Sequence, residues 1–307
     1  MRILISGGTG FIGSALTEAL VSHGHHITVL TRGLKKPLID DRHVSFLQCD
    51  PLTSGPWQKK VSEHNIIINL AGLSIFRRWS LKNKQAIIRS RILITQNLVD
   101  GLVGLQSREI RFFSASGVGY YGYLKNGLFD EKSPPGQEFL SRMAIDWEAT
   151  AYKAKDLGAQ VVTCRFGQVL GKEGGALPKL IMLSRLGLGG TWGDGQQWTS
   201  WIHIKDLVNV FLFLLEHKSI TGNVNFTSPN PVPNYEMMSL LRKYLHKKAI
   251  IPAIPAFLLQ LVTGEFSSTF LNGQKVLPRR LLDAGYSFQY PTISEALQDL
   301  IMKPGSL

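Results

Sequence analysis

Short apolar runs alternate with longer amphipathic stretches along the first 228 residues. The runs are five to eight residues long and rich in β-branched and aromatic side chains, a pattern that is typical of buried strands. They occupy residues 2–6, 26–31, 43–48, 66–71, 110–115 and 159–166. Between several of them lie helical patterns such as that of residues 11–24, in which apolar residues recur every three or four positions and a glycine ends the pattern. This alternation predicts an α/β fold whose parallel sheet is doubly wound, with helices on both faces.

The pattern changes after a last predicted strand at residues 223–227. The rest of the chain is mainly helical and rich in proline, which punctuates loops and helix ends. Prolines occur at 229, 231, 233, 252, 255 and 278. We therefore predict a first domain at residues 1–228 and a smaller, mainly helical C-terminal lobe at residues 229–307, with part of residues 167–200 contributing to that lobe.

Chain length and charge narrow the possible partners. With 307 residues, of which 44% are hydrophobic, the chain can bury a large core. A formal net charge of +12 would suit a nucleic-acid-binding protein if the Lys and Arg residues formed one patch. They are scattered, and the densest group, Arg242 and Lys243 with residues 246–248, is typical of a solvated helix face. We therefore expect a small-molecule substrate and no nucleic-acid partner.

Cysteine usage and hydropathy predict the compartment. Cys49 and Cys164 lie inside apolar strand-like runs and match no metal or redox spacing, so we expect two reduced thiols and no metal site. No signal peptide is expected, because residues 1–6 already have the pattern of a buried strand. No apolar run approaches the roughly 20 residues needed to cross a bilayer. These features predict a cytoplasmic protein with no membrane partner, and they leave monomer and homodimer open.

The segment ISGGTGFIG carries the first specific chemical signal. The predicted strand 2–6 runs into Gly7, Gly10 and Gly13, which are spaced by three, and a predicted helix begins at Phe11. Glycines allow the backbone to turn tightly and to approach a pyrophosphate, and the helix N-terminus attracts the negative charge. The motif predicts a Rossmann dinucleotide site formed by Gly7, Thr9, Gly10, Phe11, Ile12 and Gly13.

The end of the second predicted strand indicates which dinucleotide is bound. An NAD site places Asp or Glu there to bind the ribose hydroxyls. Here Thr31 and Arg32 take that place, and the next carboxylate after them in the sequence is Asp40. An arginine can bind a 2′-phosphate through two parallel hydrogen bonds. Lys35 and Lys36 add positive charge nearby. We therefore predict NADP(H) as the cofactor; the alternative is that Arg32 is merely an exposed loop residue.

Several motifs together resemble a known family. They are GGTGFIG at 7–13, NLAG at 69–72, SASGVGYYG at 114–122 and WIHIKDL at 201–207. The chain thereby resembles the extended short-chain dehydrogenase/reductases, in their epimerase/dehydratase branch. Residues 77–99 and the tail FLNGQKVLPRRLLDAGYSF at 270–288 narrow this resemblance to an atypical, nucleotide-sugar-epimerase-like subgroup that ends in a small C-terminal domain of unknown function. The resemblance covers nearly the whole chain.

The resemblance implies where the cofactor and the substrate lie. The backbone segment expected beneath the cofactor consists of Asn69, Leu70, Ala71 and Gly72. The C-terminal lobe would help to bind the substrate. Ser116 takes the place of the serine that hydrogen-bonds the substrate carbonyl or hydroxyl; the alternative is a turn serine beside Gly117.

The usual proton relay of this family is a Tyr placed four residues before a Lys on the helix after the fifth strand. If Glu148 is the Glu that commonly follows that Lys by four residues, the Lys position is Ala144 and the Tyr position is Leu140. Neither of these side chains can carry a proton. Two pairs elsewhere share the spacing but lie on a glycine-rich segment and on a distal helix, and we regard them as coincidental: Tyr121 with Lys125, and Tyr244 with Lys248.

Other residues could carry the chemistry. Tyr120 and Tyr121 follow Ser116 at the end of the fifth predicted strand, where open α/β sheets bind their ligands; otherwise they are core aromatics. Arg91 falls where the family has an Asn that props the active-site helix. An Arg there suggests an anionic substrate group or the nicotinamide-side phosphate of the cofactor, or else a helix-surface arginine. The expected catalytic residues are therefore Ser116, Tyr120, Tyr121 and Arg91.

Two functions from different classes remain open. One is an NADP(H)-dependent oxidoreductase or epimerase-like enzyme with a non-standard proton donor, which the intact Ser116 and the two-lobed layout favour. The other is a non-catalytic NADP(H)-binding protein, a sensor or partner-binding module, which the missing Tyr and Lys favour. Within WIHIKDL we expect a structural role for His203 and a helix cap at Asp206. The enzyme is the favoured interpretation.

Overall fold

The computed structural model describes residues 1–33, 42–104, 109–124 and 127–302. The strands are, in chain order, β1 (Arg2–Ser6), β2 (His26–Thr31), β3 (Val44–Gln48), β4 (Ile66–Asn69), β5 (Ile110–Gly117), β6 (Leu128–Phe129), β7 (Ala159–Phe166), β8 (Gln168–Leu170), β9 (Thr191–Trp192), β10 (Trp198–Thr199), β11 (Trp201–His203), β12 (Gly222–Phe226), β13 (Val232–Pro233), β14 (Ala253–Ile254) and β15 (Lys275–Val276). The helices are α1 (Phe11–Ser22), α2 (Leu81–Asp100), α3 (Phe139–Tyr152), α4 (Leu177–Arg185), α5 (Ile204–Glu216), α6 (Asn234–Tyr244), α7 (Ala256–Thr263), α8 (Ser268–Leu271), α9 (Arg279–Asp283) and α10 (Ile293–Met302). Short stretches of 3₁₀ helix occur at Pro56–Glu63, Val118–Tyr121, Lys153–Leu157 and Gly264–Ser267.

Within these described residues, seven parallel strands form the central sheet, in the order β12–β7–β5–β4–β1–β2–β3. The chain therefore begins near the middle of the sheet and extends it in both directions. Parallel neighbours need crossover connections, and helices supply most of them on the two faces of the sheet. The doubly wound Rossmann sheet that the apolar pattern predicts is confirmed.

The central strands are buried on both faces, which explains their unbroken apolar sequences. Successive side chains of a strand point to opposite faces. In β1, Ile3 and Ile5 belong to the core that also contains Leu16 of α1 and Phe211 of α5. Leu4, between them, belongs to the second core, which includes side chains of α2 and α3. One strand thus anchors both helical layers.

Polar side chains meet at the carboxyl edge of this sheet. Ser6, the last residue of β1, is aligned with Asn69 of β4 and donates a hydrogen bond from Oγ to Asn69 Oδ1 at 2.6 Å. Asn69 Nδ2 donates to Thr95 Oγ1 of α2 at 2.8 Å, and Trp147 Nε1 of α3 donates to the same hydroxyl at 2.8 Å. These bonds fix α2 and α3 against the edge where the parallel strands end.

A separate apolar core lies in the C-terminal part of the described chain. Its buried members are Leu170, Leu177, Leu180, Trp201, Val232, Met237, Met238, Leu241, Tyr290, Ile293, Ala296, Leu297 and Leu300. Residues before 228 therefore share a core with residues after it. In addition, β10 pairs with β13 and β9 pairs with β14. The division at residue 228 crosses paired strands and remains a prediction.

Three further features of the described residues bear on function. No helix in them combines the length and the apolar content required to cross a membrane. They contain no group of three or more His, Cys, Asp or Glu residues placed to hold a metal ion. Both cysteines are free thiols, and burial raises the pKa of the Cys49 thiol to about 11.

The segment WIHIKDL joins the sheet domain to the C-terminal lobe through His203. This side chain is fully buried, its ring stacks on Tyr290 with centroids 3.9 Å apart, and its Nε2 lies 3.4 Å from Asp299 Oδ2 of α10. Its Nδ1 accepts a hydrogen bond from the Lys205 N–H at 3.0 Å, so His203 is the N-cap of α5. The ring therefore caps α5 and also packs against residues of the C-terminal lobe.

The prediction that Asp206 caps this helix is wrong. Asp206 lies inside the first turn of α5 and is 1% exposed. Its carboxylate accepts hydrogen bonds from the backbone N–H groups of Gln289 at 2.8 Å and Tyr290 at 2.9 Å. The carboxylate is therefore bonded to a backbone segment that is distant in the sequence, and no local pattern indicates this contact. Burial raises the pKa of Asp206, and these hydrogen bonds oppose the increase.

We predict that His203 makes stability depend on pH. Burial lowers its pKa from 6.5 to about 4, against the opposing charge of Asp299, so the unfolded chain binds a proton between these values and the folded chain does not. Stability should therefore fall by up to roughly 3 kcal/mol as the pH drops through this range. His203→Asn keeps a capping oxygen for α5. Its melting temperature should decrease less than that of the unaltered protein when the pH is lowered through this range. Exposed His217→Asn is the control; equal pH dependence in all three proteins would contradict the assignment.

Candidate functional site

The glycine loop between β1 and α1 is packed too tightly for side chains. Gly7 has a φ of +76°, and a Cβ on it would lie 2.8 Å from the carbonyl carbon of Leu70. A Cβ on Gly13 would lie 2.2 Å from the carbonyl oxygen of Gly7. Glycine is therefore required at both positions, for the turn and for the approach of α1. The loop lies directly against the backbone that follows β4.

The N-terminus of α1 is open to an anion. Its N-cap is Gly10, no side chain caps it, and its first turn contains no acidic residue. Thr9 and Gly10 are exposed, and Phe11 and Ile12 are partly exposed. The Phe11 ring packs towards Gly171 and Gly174, so this residue offers its backbone rather than its side chain to a ligand. Unpaired N–H groups and the helix dipole together form a site that suits a pyrophosphate.

Thr31 and Arg32 follow the end of β2 with different roles. Thr31 is 8% exposed and its Oγ1 donates to the Gly33 carbonyl oxygen at 2.9 Å, which shapes the turn. Arg32 is exposed. The described part of this edge therefore presents a guanidinium where an NAD site would have a carboxylate. Lys35 and Lys36, which the sequence also associates with this site, lie outside the described residues.

Arg91 of α2 is turned towards the protein and supports the segment after β4. Its Nη1 donates to the carbonyl oxygens of Leu73 at 3.0 Å and Ile87 at 3.2 Å. A Cβ on Gly72 would lie 3.3 Å from its Cζ, and the guanidinium lies 5.1 Å from the centre of the Trp147 ring. Burial lowers the pKa of Arg91 to about 10. Among the described residues no carboxylate forms an ion pair with it, and its buried Nε has no hydrogen-bond partner.

A buried ion pair lies beside Ser116. Arg165 of β7 donates from Nε to Glu148 Oε1 at 2.8 Å and from Nη2 to Glu148 Oε2 at 2.7 Å. The side chains of Arg165 and Glu148 are only 1% and 6% exposed. Ser116 Oγ donates to Glu148 Oε1 at 2.6 Å. The serine proton is thus bonded to a buried carboxylate instead of being directed into open space.

Tyr121 and Tyr120 contact the same guanidinium in different ways. Arg165 Nη1 donates to the Tyr121 hydroxyl at 3.0 Å, and that hydroxyl donates to Asn225 Oδ1 at 2.7 Å. Burial raises the pKa of Tyr121 to about 12, although Arg165 opposes the increase. The Tyr120 ring stacks on the guanidinium, with Cζ 3.4 Å from the ring centroid. Among the described residues, the Tyr120 hydroxyl has no hydrogen-bond partner.

The network continues from this edge of the sheet into the C-terminal lobe. The Asn225 N–H donates to Glu131 Oε1 at 3.0 Å, and Asn225 Nδ2 donates to the Leu277 carbonyl oxygen at 3.0 Å. Glu131 Oε2 accepts from the Arg280 N–H at 3.4 Å. Burial raises the pKa of Glu131, and these backbone hydrogen bonds oppose the increase. One chain of polar contacts therefore links Ser116 to the segment before α9.

The positions predicted for the Tyr and the Lys are apolar neighbours on α3. Ala144 is 2% exposed. Leu140 packs with a buried cluster that also includes Trp79, Phe139 and Phe266, which we call the inter-lobe cluster. The Trp79 ring packs edge-on against the Phe139 ring, with centroids 4.9 Å apart. The ring of Phe266, from the C-terminal lobe, has its centroid 5.4 Å from that of Trp79. The lobes therefore meet through an apolar contact beside Leu140.

Of the four expected catalytic residues, three lie together. Ser116, Tyr120 and Tyr121 surround Arg165, whereas Arg91 contacts α3 at Trp147 and the segment after β4. Arg165 itself was missed, because it lies inside an apolar run that predicts a strand. A charged residue in a strand buried on both faces requires a partner, and Glu148 on the apolar face of α3 is the matching signal.

The glycine loop, the open helix terminus and the sheet define a dinucleotide-binding protein of the Rossmann class. Residues 3–226 match the model of the NAD dependent epimerase/dehydratase family, and residues 254–300 match the Domain of unknown function (DUF1731). The chain therefore belongs to the NAD dependent epimerase/dehydratase family, which confirms the resemblance seen in the motifs.

Relatives match nearly the whole chain. The Epimerase family protein SDR39U1 homolog, chloroplastic, of Arabidopsis thaliana is 40% identical over 305 residues, which cover 98% of this chain and 87% of the relative. Epimerase family protein YfhF of Bacillus subtilis is 35% identical over 302 residues, 98% of each chain. The crystal structure of the human epimerase family protein SDR39U1 (isoform 2) with NADPH is similar at a TM-score of 0.85 and 30% identity, covering 99% of this chain and 100% of the human one.

We predict that breaking the Arg165–Glu148 pair on one side is costly. Glu148→Gln would leave the buried guanidinium without a counter-charge, so the free energy of unfolding should fall by about 3 kcal/mol or more. Combining Glu148→Leu with Arg165→Met removes both charges and should recover most of that loss. Urea unfolding of the single and double variants measures both effects. A change of less than about 1 kcal/mol for Glu148→Gln would show that the pair does not control this edge.

Proposed function

We propose that the protein is an NADP(H)-dependent oxidoreductase or epimerase-like enzyme acting on a small, anionic substrate. Hydride exchange with the nicotinamide is the chemistry that the cofactor supplies when bound. The single observation that carries the choice of cofactor is the exposed Arg32 after β2, with Thr31 where an acid would repel a 2′-phosphate. The human relative that contains NADPH supports the same choice.

The residues present fit such a cofactor. The α1 N-terminus supplies N–H groups for the pyrophosphate at Phe11 and Ile12, and Gly7 lies against residues 70–71, where a side chain would block the approach. Arg32 would bind the 2′-phosphate through charge-assisted hydrogen bonds. The segment 69–72, supported by Arg91, would carry the cofactor towards the carboxyl end of β5.

Tyr120 is our proposed proton donor. On the proposed alignment, Leu140 and Ala144 replace the usual Tyr and Lys, and neither can transfer a proton. The hydroxyls of Ser116 and Tyr121 are bonded inside the buried network. The Tyr120 hydroxyl is not bonded to any described residue, and its ring is held in place by Arg165 at 3.4 Å.

Arg91 supports an anionic substrate or cofactor group. Its charge is buried and no described carboxylate neutralises it, so a carboxylate or phosphate brought close would relieve an unfavourable charge. The substrate we propose therefore carries a carbonyl or hydroxyl next to such a group. A small molecule of this kind, without nucleic acid and in the cytoplasm, is the proposed setting; the two free thiols support a reducing compartment.

A second function has its own supporting observation. Ser116 and Tyr121 are committed to a buried network, and a network that serves stability removes groups from catalysis. The alternative is therefore a non-catalytic NADP(H)-binding protein that senses the cofactor or binds a partner.

The cofactor assignment predicts a preference that calorimetry can measure. NADPH should bind at least about ten-fold more tightly than NADH, because one charge-assisted contact contributes about 1.4 kcal/mol. Arg32→Ala should remove most of that preference and leave NADH binding nearly unchanged. Arg89→Ala, which removes an exposed arginine from α2, is the charge-matched control. Equal affinity of the unaltered protein for the two cofactors would defeat the assignment.

The catalytic assignment is tested by NADPH consumption. Keto acids and phosphorylated aldehydes should support a measurable rate, and Tyr120→Phe should lower kcat by about 100-fold or more without changing the Kd for NADPH. Tyr235→Phe, an exposed tyrosine of the C-terminal lobe, should retain the rate. If the protein binds NADPH but oxidises it with none of these compounds, the non-catalytic alternative gains the support that the enzyme loses.

A further inference from the structure

Helix α7 is apolar and yet has no buried residue. A helix of this composition normally turns its apolar side chains into a core. Here Phe257 is 65% exposed, and Leu261 and Val262 are each 75% exposed; Leu258 is 40% exposed. Side chains with such large exposed fractions project from the surface instead of lining a groove. Contiguous exposed apolar residues on a folded protein mark a place where something else binds.

Two neighbouring segments extend this apolar surface. Ile250, which is 80% exposed, donates its N–H to the Gly187 carbonyl oxygen at 2.9 Å. This bond places it beside Leu186, which is 62% exposed. The pairing of β14 with β9 then leads directly into α7. We call the following residues the α7 surface: Leu186, Ile250, Phe257, Leu258, Leu261 and Val262.

The segments that form the α7 surface carry positive charge and no acid. Between Glu236 and Glu265, and between Glu173 and Asp194, the sequence contains no Asp or Glu. The same segments contain several exposed basic residues, namely Arg185, Lys243, Lys247 and Lys248. With the carboxylates of the described residues, none of these four forms an ion pair. The segments that form the α7 surface therefore carry both projecting apolar side chains and positive charge that no described carboxylate pairs.

We propose that the α7 surface docks the protein on the headgroup region of an anionic lipid bilayer. Stable attachment to such a surface takes two contributions, apolar side chains that enter the headgroup boundary and Lys or Arg residues attracted to anionic lipid. Both are present here within neighbouring segments. The sequence predicts no membrane partner because no apolar run can cross a bilayer, but docking at the surface requires no such run.

Charge decides against a second copy of this chain as the occupant. A symmetric dimer through the α7 surface would bring the same basic residues of both copies together. Like charges placed face to face oppose association, and the net charge of +12 adds to the repulsion. A bilayer that contains anionic lipid supplies the opposite charge as well as an apolar interior.

Vesicle co-sedimentation of the full chain tests the proposal. Vesicles of phosphatidylcholine with phosphatidylglycerol should bind the protein at least about ten-fold more tightly than vesicles of phosphatidylcholine alone, and added salt should weaken that binding. The paired change Leu261→Ser with Val262→Ser, and separately Lys247→Glu with Lys248→Glu, should each weaken binding about ten-fold or more. All four residues are exposed, so the variants should keep the melting temperature of the unaltered protein.

Matched changes elsewhere separate a specific surface from general stickiness. Val103→Ser removes an apolar side chain that is 68% exposed and distant in the sequence from the α7 surface. Lys59→Glu with Lys155→Glu reverses two exposed charges. Both variants should retain vesicle binding. The proposal is overturned if no vesicle binds, or if these controls weaken binding as much as the α7 variants do. It is also overturned if sedimentation without lipid shows a dimer that Leu261→Ser with Val262→Ser converts to monomer.

Discussion

A guanidinium that cannot be hydrated must be surrounded by acceptors, and this constraint organises the carboxyl edge of the sheet. Arg165 of β7 has this need because its side chain is 1% exposed. Glu148 of α3 meets it with both carboxylate oxygens, Tyr121 with its hydroxyl and Tyr120 with the face of its ring. Ser116 of β5 donates to the same carboxylate. One charge therefore fixes α3, two neighbouring strands and the 3₁₀ turn after β5 relative to one another.

The same constraint limits the chemistry that this edge can perform. The Ser116 hydroxyl already donates to a buried carboxylate, which favours a role in stability over a role in proton transfer. Of the four candidate catalytic side chains, two keep polar capacity that no described residue uses. They are the Tyr120 hydroxyl and the guanidinium of Arg91, whose Nε has no partner. The proposed chemistry depends on these two groups because the fold has engaged the others.

The sequence predicts what local patterns encode. Parallel strands buried on both faces must be apolar throughout, and the glycine loop must be glycine because a Cβ on Gly7 or Gly13 would meet backbone, so sheet and loop follow from pattern and spacing. The buried network cannot be predicted in this way. Arg165 lies in a strand and Glu148 in a helix, and neither local pattern indicates that the two side chains pair. Asp206 lies where the sequence predicts a helix cap, but its carboxylate accepts hydrogen bonds from the backbone N–H groups of residues 289–290. His203 caps the helix instead, because its Nδ1 accepts from the Lys205 N–H.

The apolar character of Leu140 and Ala144 fits the way the two lobes meet. Leu140 packs into the inter-lobe cluster with Phe266 from the C-terminal lobe, and Ala144 is 2% exposed. A phenol at the first position and an ammonium at the second would bring polar groups into this contact, where each would need a hydrogen-bonding partner. On the proposed alignment, the lobes thus gain an apolar contact where the family places its proton relay. On the same alignment the proton donor that we propose, Tyr120, lies at the carboxyl edge of the sheet, where its ring stacks on Arg165.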